Sequence, residues 1–368
     1  MKKTTALLLP FVTAFIAATP ASAQLITTAV PFLRIEPDSR IAGMGNAGVA
    51  VSDNAAAIFW NPAALAFQKQ TEINLTHANW LPQFNADLFY EYLVGTYHLP
   101  GAGTLGANIA FLNLGEQEIT DEGGNSQGTF SSYDLALGAA WGLPLNKNWS
   151  VGIGTRFIYS NLAPGLTVGG QETRAGTSVG IDLSGLYRSN SFLIAGRKAN
   201  FKVGMNLSNL GPGITYTDAA QKDPLPTSLR TGFALTSNLD TDGYNTITIA
   251  GDVVKLMAKR DTTGKAYTWL QALTQTWGTY NYFNGQEDVS LTLAQQFMYG
   301  AGMEYWYNKL FAIRLGYFYE HPNNGNRQYV TLGAGIRYNR FGIDFSYVAA
   351  QDNSPLANQM RFSVLTTL

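Results

Sequence analysis

From Thr71 to the last residue, hydrophobic and polar side chains alternate with a period of two. That is the pattern of strands with one face in an apolar medium and the other facing a polar interior. Trp149, Val151, Ile153, Thr155, Phe157 and Tyr159 share one face, against Ser150, Gly152, Gly154, Arg156, Ile158 and Ser160 on the other. Phe311, Ile313, Leu315, Tyr317 and Tyr319 repeat the arrangement, as do Phe341, Ile343, Phe345 and Tyr347. Aromatic residues gather toward the strand ends, where a membrane barrel carries its girdles. The pattern predicts strands at 71–79, 87–99, 103–114, 131–142, 149–161, 173–188, 200–208, 228–237, 245–255, 296–307, 311–320, 329–338, 341–348 and 358–367. About fourteen strands, an even number, specify an all-β fold, a transmembrane antiparallel β-barrel.

The connections give an independent reading. Pro100 to Ala102, Leu143 to Asn148, Asn308 to Leu310 and Asn339-Arg340 are short, whereas Glu116 to Phe130, Leu162 to Glu172, Asn209 to Thr227 and Leu256 to Gln295 are long. With the N-terminus in the periplasm, every short connection falls on the periplasmic side and every long one outside, as in outer-membrane barrels. A soluble β-sandwich has no reason to sort its loops in this way.

One stretch breaks the alternation. Ser39 to Phe67 is rich in Ala and other small residues and holds Gly43, Met44, Gly45, Asn46, Gly48 and the later Trp60-Asn61-Pro62. Asp53 or Asn54 is placed to cap an Ala-rich turn, and Asn61 before Pro62 is an N-cap followed by proline at the first helical position. Two or three short helices joined by tight Gly turns are predicted, small enough in side chain to lie against surrounding backbone inside the periplasmic half of the barrel. Gly43, Gly45 and Gly48 also spell G-x-G-x-x-G. A dinucleotide site is excluded because the preceding strand, the crossover helix and the acidic residue of a βαβ unit are lacking.

Lys2 and Lys3, the apolar run Ala6 to Ala18 and the small residues Ala21-Ser22-Ala23 read as a signal peptide over 1–23. The remaining chain divides into an N-terminal segment at 24–70 and the barrel at 71–368. No other run is long enough for a membrane-spanning helix. With no cysteine in the chain, disulfides, thiolate metal sites and a thiol nucleophile are excluded. Only 13% of residues are charged and the net charge is -1, which argues against nucleic acid as a partner. His77, His98 and His321 have no metal-ligand spacing, and no Ser, His and acid lie at nucleophile-elbow spacing, so neither a cofactor, a metal nor an enzyme activity is expected. Arg156, Asp182, Arg230, Asp252, Arg314, Arg337, Asp344 and Arg361 all fall on the inner face. They read as a charge ladder that pairs across the lumen and holds the plug, or as a transport path. In the longest loop Trp269, Leu270, Leu273 and Trp277 recur at helical spacing, a stripe that serves either as a lid packed on the barrel mouth or as a partner-binding surface.

Gly43-Met44-Gly45 with Trp60-Asn61-Pro62-Ala63 resembles the N-terminal hatch of the FadL-like outer-membrane barrels. Ile41 to Ala50 with Phe59 to Pro62, Pro224 to Leu229, and His321 to Tyr329 followed by Gly333-Ala334-Gly335 are similar to the narrower PorV family of the type IX secretion system of Bacteroidetes-type bacteria. The likeness runs through the mature chain except Lys259 to Leu293, and Leu368 stands where such barrels mostly end in an aromatic residue. The resemblance implies a non-enzymatic barrel of the outer membrane that binds the C-terminal signal domain of secreted cargo. Such a barrel sits beside the large translocon barrel and hands cargo to a cell-surface sortase complex. The related PorQ role and a FadL-like channel for hydrophobic small molecules are the alternatives that the same hatch and barrel imply.

Overall fold

The computed structural model describes residues 28–368 apart from 85–86, 121–122, 124, 169, 218–221, 262–264, 284–286 and 352–353. The signal-peptide segment lies outside the described residues. Fourteen antiparallel strands form the wall: β1 (Glu72–Asn79), β2 (Phe89–Leu99), β3 (Gly103–Thr120), β4 (Ser126–Pro144), β5 (Trp149–Asn161), β6 (Gly176–Arg188), β7 (Arg197–Leu210), β8 (Ser228–Asn238), β9 (Asn245–Leu256), β10 (Phe297–Tyr307), β11 (Phe311–Glu320), β12 (Gln328–Tyr338), β13 (Phe341–Ala350) and β14 (Gln359–Thr367). Each pairs with its sequence neighbours, and β14 returns to β1 with Glu72 opposite Thr367, so the wall closes on itself; a short strand (Phe192–Ile194) pairs only with the start of β7. The C-terminal alternation of Met360 to Thr367 thus supplies the closing strand.

The pleat sorts the side chains as the alternation predicts. Trp149, Val151, Ile153 and Phe157 of β5, and Phe311, Ile313 and Leu315 of β11, are exposed on the outer surface, while Ser150, Ile158, Ala312 and Arg314 point inward and are buried. The main departure is between β3 and β4. The hairpin continues past the barrel rim, with Glu116 opposite Ser131 and Ile119 opposite Gly128, so most of the predicted loop is strand. Both faces of that extension meet water, which removes the period-two signal that marks strands elsewhere. Connections 100–102, 145–148, 308–310 and 339–340 lie at one end of the barrel, here the turn end. The 40-residue stretch 257–296 lies at the other, the loop end, and contains a helix (Trp269–Gln275) and a hairpin (Tyr280–Phe283 with Asp288–Leu291).

The N-terminal segment fills the barrel. Short helices run over Pro31–Arg34, Ser39–Ala42, Ala57–Trp60 and Pro62–Phe67, and Ile41, Met44, Ala47, Val49, Trp60, Ala63 and Leu65 are fully buried. Its extent exceeds the expected half of the lumen. Phe67 stacks under Arg188 at the turn end of β6, whereas Ala29 N donates to Pro224 O at the loop end. The segment therefore spans the lumen from end to end.

Candidate functional site: the plug and its wall

Each small residue of the plug motif is required by a neighbour. Gly45 takes the left-handed φ of 61°, and a Cβ there would sit 2.5 Å from the carbonyl oxygens of both Ala301 and Tyr317. A Cβ on Gly48 would meet the Trp60 ring at 2.6 Å, and one on Gly43 would press Gly333 Cα at 3.0 Å. Met44 is completely buried between these contacts. The wall answers with glycines of its own. A Cβ on Gly316 would lie 2.0 Å from Gly45 N, on Gly302 2.2 Å from Met44 O, on Gly204 2.3 Å from Val49 O, and on Gly152 2.2 Å from Ala63 N. Backbone lies directly on backbone across strands β5, β7, β10 and β11, which only side-chain-free positions permit.

Polar contacts fix the register of this fit. Asn61 caps the Pro62–Phe67 helix, its Oδ1 accepting from Ala63 N at 3.1 Å, while its Nδ2 donates to Val49 O at 2.8 Å and Gly185 O at 3.2 Å. The expected Asp53 or Asn54 cap does not form. The Ala57–Trp60 helix has no side-chain cap; Asp53 pairs with Arg40, and the Asn54 side chain is buried without a partner among the described residues. Asp38 caps the first α-helical turn and accepts from Trp60 Nε1 at 2.7 Å. Its burial pushes the carboxyl pKa up, an effect opposed by the Trp60 hydrogen bond and the Arg40 charge. Asn46 donates to Glu36 and to the Tyr329 hydroxyl, and the Gly48 and Val49 amides donate to Asp252 at 2.9 and 3.0 Å.

The inner-face charges predicted from sequence pair as a ladder. Arg156 meets Asp182, Arg230 meets Asp252 at 3.2 Å, Arg314 and Arg337 share Asp344 at 2.8 and 2.5 Å, and Arg361 reaches Glu36 of the plug at 2.9 Å. Two acids not singled out by sequence are central: Glu304 receives Arg40 of the plug at 2.8 Å and Arg314 of the wall at 2.7 Å, and Glu320 holds Arg327 at 2.6 Å. Both lie on inner-face positions of strands already recognised, so counting acids on the even face of β10 and β11 would have found them.

At the loop end, the Trp269–Gln275 helix starts with a capping box between Thr268 and Gln271. Ala272 and Thr276 face inward, whereas Trp269, Leu270 and Trp277 are exposed and Leu273 is half-buried. The stripe is thus only partly covered: Trp269 borders a cleft at the loop end and the Trp277 ring lies 5.6 Å from Lys255 Nζ of β9, while Leu270 is the most exposed of the four. This cleft of about 270 Å³ opens between the helix and residues 211–213 and 222–227, lined by Trp269, Ala272, Tyr267, Pro212, Leu225 and Met257. Lys259 lies beneath, donating to Thr276 O at 3.0 Å, and its burial brings the amine down to about 8. Among the described residues no group of acidic or histidine side chains has metal-binding geometry.

The sequence model of the family described as type IX secretion system protein PorV matches residues 18–262, more than half of the 368. No curated protein matches the sequence. Among solved structures, the Pseudomonas putida toluene transporter TodX aligns with a TM-score of 0.50 and 12% identity over 90% of this chain and 99% of its own. The Ralstonia pickettii toluene transporter TbuX aligns with a TM-score of 0.49 and 14% identity over 90% and 98%. At these identities the likeness concerns the fold, a FadL-like closed barrel.

Proposed function

Because this chain belongs to the PorV family of the type IX secretion system, we propose that it is an outer-membrane docking component that carries cargo and conducts nothing through its lumen. In this reading the turn end faces the periplasm and the loop end faces outside. The cargo's C-terminal signal domain binds at the loop end, received from the translocon barrel and passed to the cell-surface sortase complex. The observation that carries the reading is the division of the molecule into a filled interior and an apolar exterior. The lumen is occupied by the plug and cross-tied by buried ion pairs, whereas Trp269, Leu270 and Trp277 stand exposed on an outer loop beside an open cleft. Tryptophan is enriched among interface hot spots, and a neighbouring concavity gives such an anchor a complement. Toluene transport by the two structural relatives motivates the channel alternative, but an interior crossed by Arg156, Arg230 and Arg314 with their carboxylates is a poor route for apolar solutes.

Cross-linked pull-down from intact outer membranes tests the proposal. Cargo domains, translocon and sortase components are expected with the native barrel, and the Trp269→Ala, Trp277→Ala double variant is expected to assemble but lose them. Uptake of a hydrophobic compound conferred by the barrel alone, with no such partners recovered, would overturn it.

A further inference from the structure

Between the N-terminal segment and the wall lies a partly enclosed space of about 50 Å³ lined by, among others, Arg34, Arg156, Arg230, Arg327, Glu36 and Asn206. Four guanidinium groups line it and a fifth, Arg361, reaches Glu36 of the lining; of the five, four hold a carboxylate at hydrogen-bond distance: Arg156 with Asp182, Arg230 with Asp252, Arg327 with Glu320, and Arg361 with Glu36. Arg34 is the fifth. Its nearest carboxylate oxygen is Glu320 Oε1 at 4.0 Å, on a group whose other oxygen holds Arg327 at 2.6 Å. Among the described residues its hydrogen bond goes to the Met298 sulfur at 3.2 Å. The side chain is only 18% exposed. A buried cation whose nearest carboxylate stands 4.0 Å away and already holds a second guanidinium is only partly compensated, and a further anion would complete it. Burial, reinforced by Arg327, brings the Arg34 guanidinium down to about 10, which leaves it charged at neutral pH. Five guanidinium groups here face four carboxylates, Asp182, Asp252, Glu320 and Glu36, so one positive charge is left over.

We propose that Arg34 and the surrounding guanidinium groups hold a small monovalent anion, chloride in ordinary media, in this space, where it ties the N-terminal segment to the wall. The size fits. A water needs roughly 10–15 Å³ of such volume, so the space takes a halide with one or two waters and excludes a sugar or an acyl chain. Asn206 supplies a second, independent sign of an occupant. It is 3% exposed, its Nδ2 donates to Trp60 O at 3.1 Å, and its Oδ1 has no partner. That oxygen accepts from a water accompanying the anion.

Diffraction from crystals grown in bromide reads the site directly. An anomalous peak beside Arg34 is expected in the native protein and absent in Arg34→Gln. In parallel, protease cleavage of the N-terminal segment is compared in chloride and in gluconate at equal ionic strength, gluconate being too large to enter. Cleavage is expected to be about tenfold slower in chloride at tenfold the dissociation constant, with Arg34→Gln indifferent to the salt and Arg34→Lys retaining part of the response. No peak in the native protein, or a peak that persists in Arg34→Gln, would overturn the assignment. A peak without any chloride effect on cleavage would mean an adventitious ion only, and would overturn it equally.

Discussion

Glu304 is the residue on which most of the plug's charge depends, since one buried carboxylate serves Arg40 of the plug and Arg314 of the wall together. Removing one partner of a buried ion pair strands the others and typically costs about 3–5 kcal/mol. Glu304→Gln should therefore free the N-terminal segment, seen as rapid protease cleavage before β1 while the barrel keeps its heat-modifiable gel migration. Asn61→Ala is expected to act in the same direction but more weakly. It loses a helix cap worth about 1 kcal/mol and leaves the Val49 and Gly185 carbonyls short of a donor, at about 1 kcal/mol each. Asn61 was legible in the sequence because a cap before proline is a local signal; the inner-face position of Glu304 was legible too, but not its partner Arg40, 264 positions away. Lys259 gives a pH dependence. Its amine titrates near 8 when packed under the loop helix, below the usual lysine value of about 10.4, so the packed loop favours the neutral form. Stability of loop packing should rise as pH increases from about 8 toward 10.4 and be constant below that window. Hydrogen exchange of residues 268–276 across that range measures it, and a larger protection factor, taken against the intrinsic exchange rate at each pH, is the expected result at the alkaline end.

At the scale of elements, the strands were readable because burial on a barrel wall alternates strictly, and β5, β11 and β13 show that alternation without interruption. The plug was recognisable as a run of small residues, but its upper part was not. Val30 to Glu36 lies outside the small-residue run, yet Val30 and Phe32 are almost fully buried and Arg34 and Glu36 face wall charges from distant strands. The wall glycines were likewise opaque. Gly152, Gly204, Gly302 and Gly316 look like poor strand formers until the plug backbone is seen to lie against them. Gly316→Ala should cost on the order of 1–3 kcal/mol of overpacking at the plug contact, again read as faster protease cleavage of the plug with the wall intact. Deleting residues 40–66 removes most of the occupant of the lumen. Planar-bilayer recordings should then show a stable conductance that the intact chain lacks, and equal conductance in both proteins would mean that the loops, not the plug, seal the barrel.

For the whole molecule, the two ends have different jobs. The turn end anchors Phe67 under Arg188 and keeps the connections short, and the loop end collects the irregular structure, the open cleft and the exposed tryptophans. The family was legible because its motifs coincide with plug positions that the packing fixes: Gly45 and Gly48 have no room for a side chain, Gly43 sits close on Gly333, and Asn61 is held by hydrogen bonds. The loop helix follows no comparable constraint, and only its apolar spacing announced it; the Thr268–Gln271 capping box emerged from the structure. The direct test of a docking barrel is the affinity of the purified protein for the C-terminal signal domain of a secreted cargo protein. The account predicts saturable binding that weakens roughly thirtyfold in the Trp269→Ala, Trp277→Ala variant, the equivalent of about 2 kcal/mol lost from a hot spot. An unchanged affinity in a correctly assembled variant, or no binding by the native barrel, would contradict it.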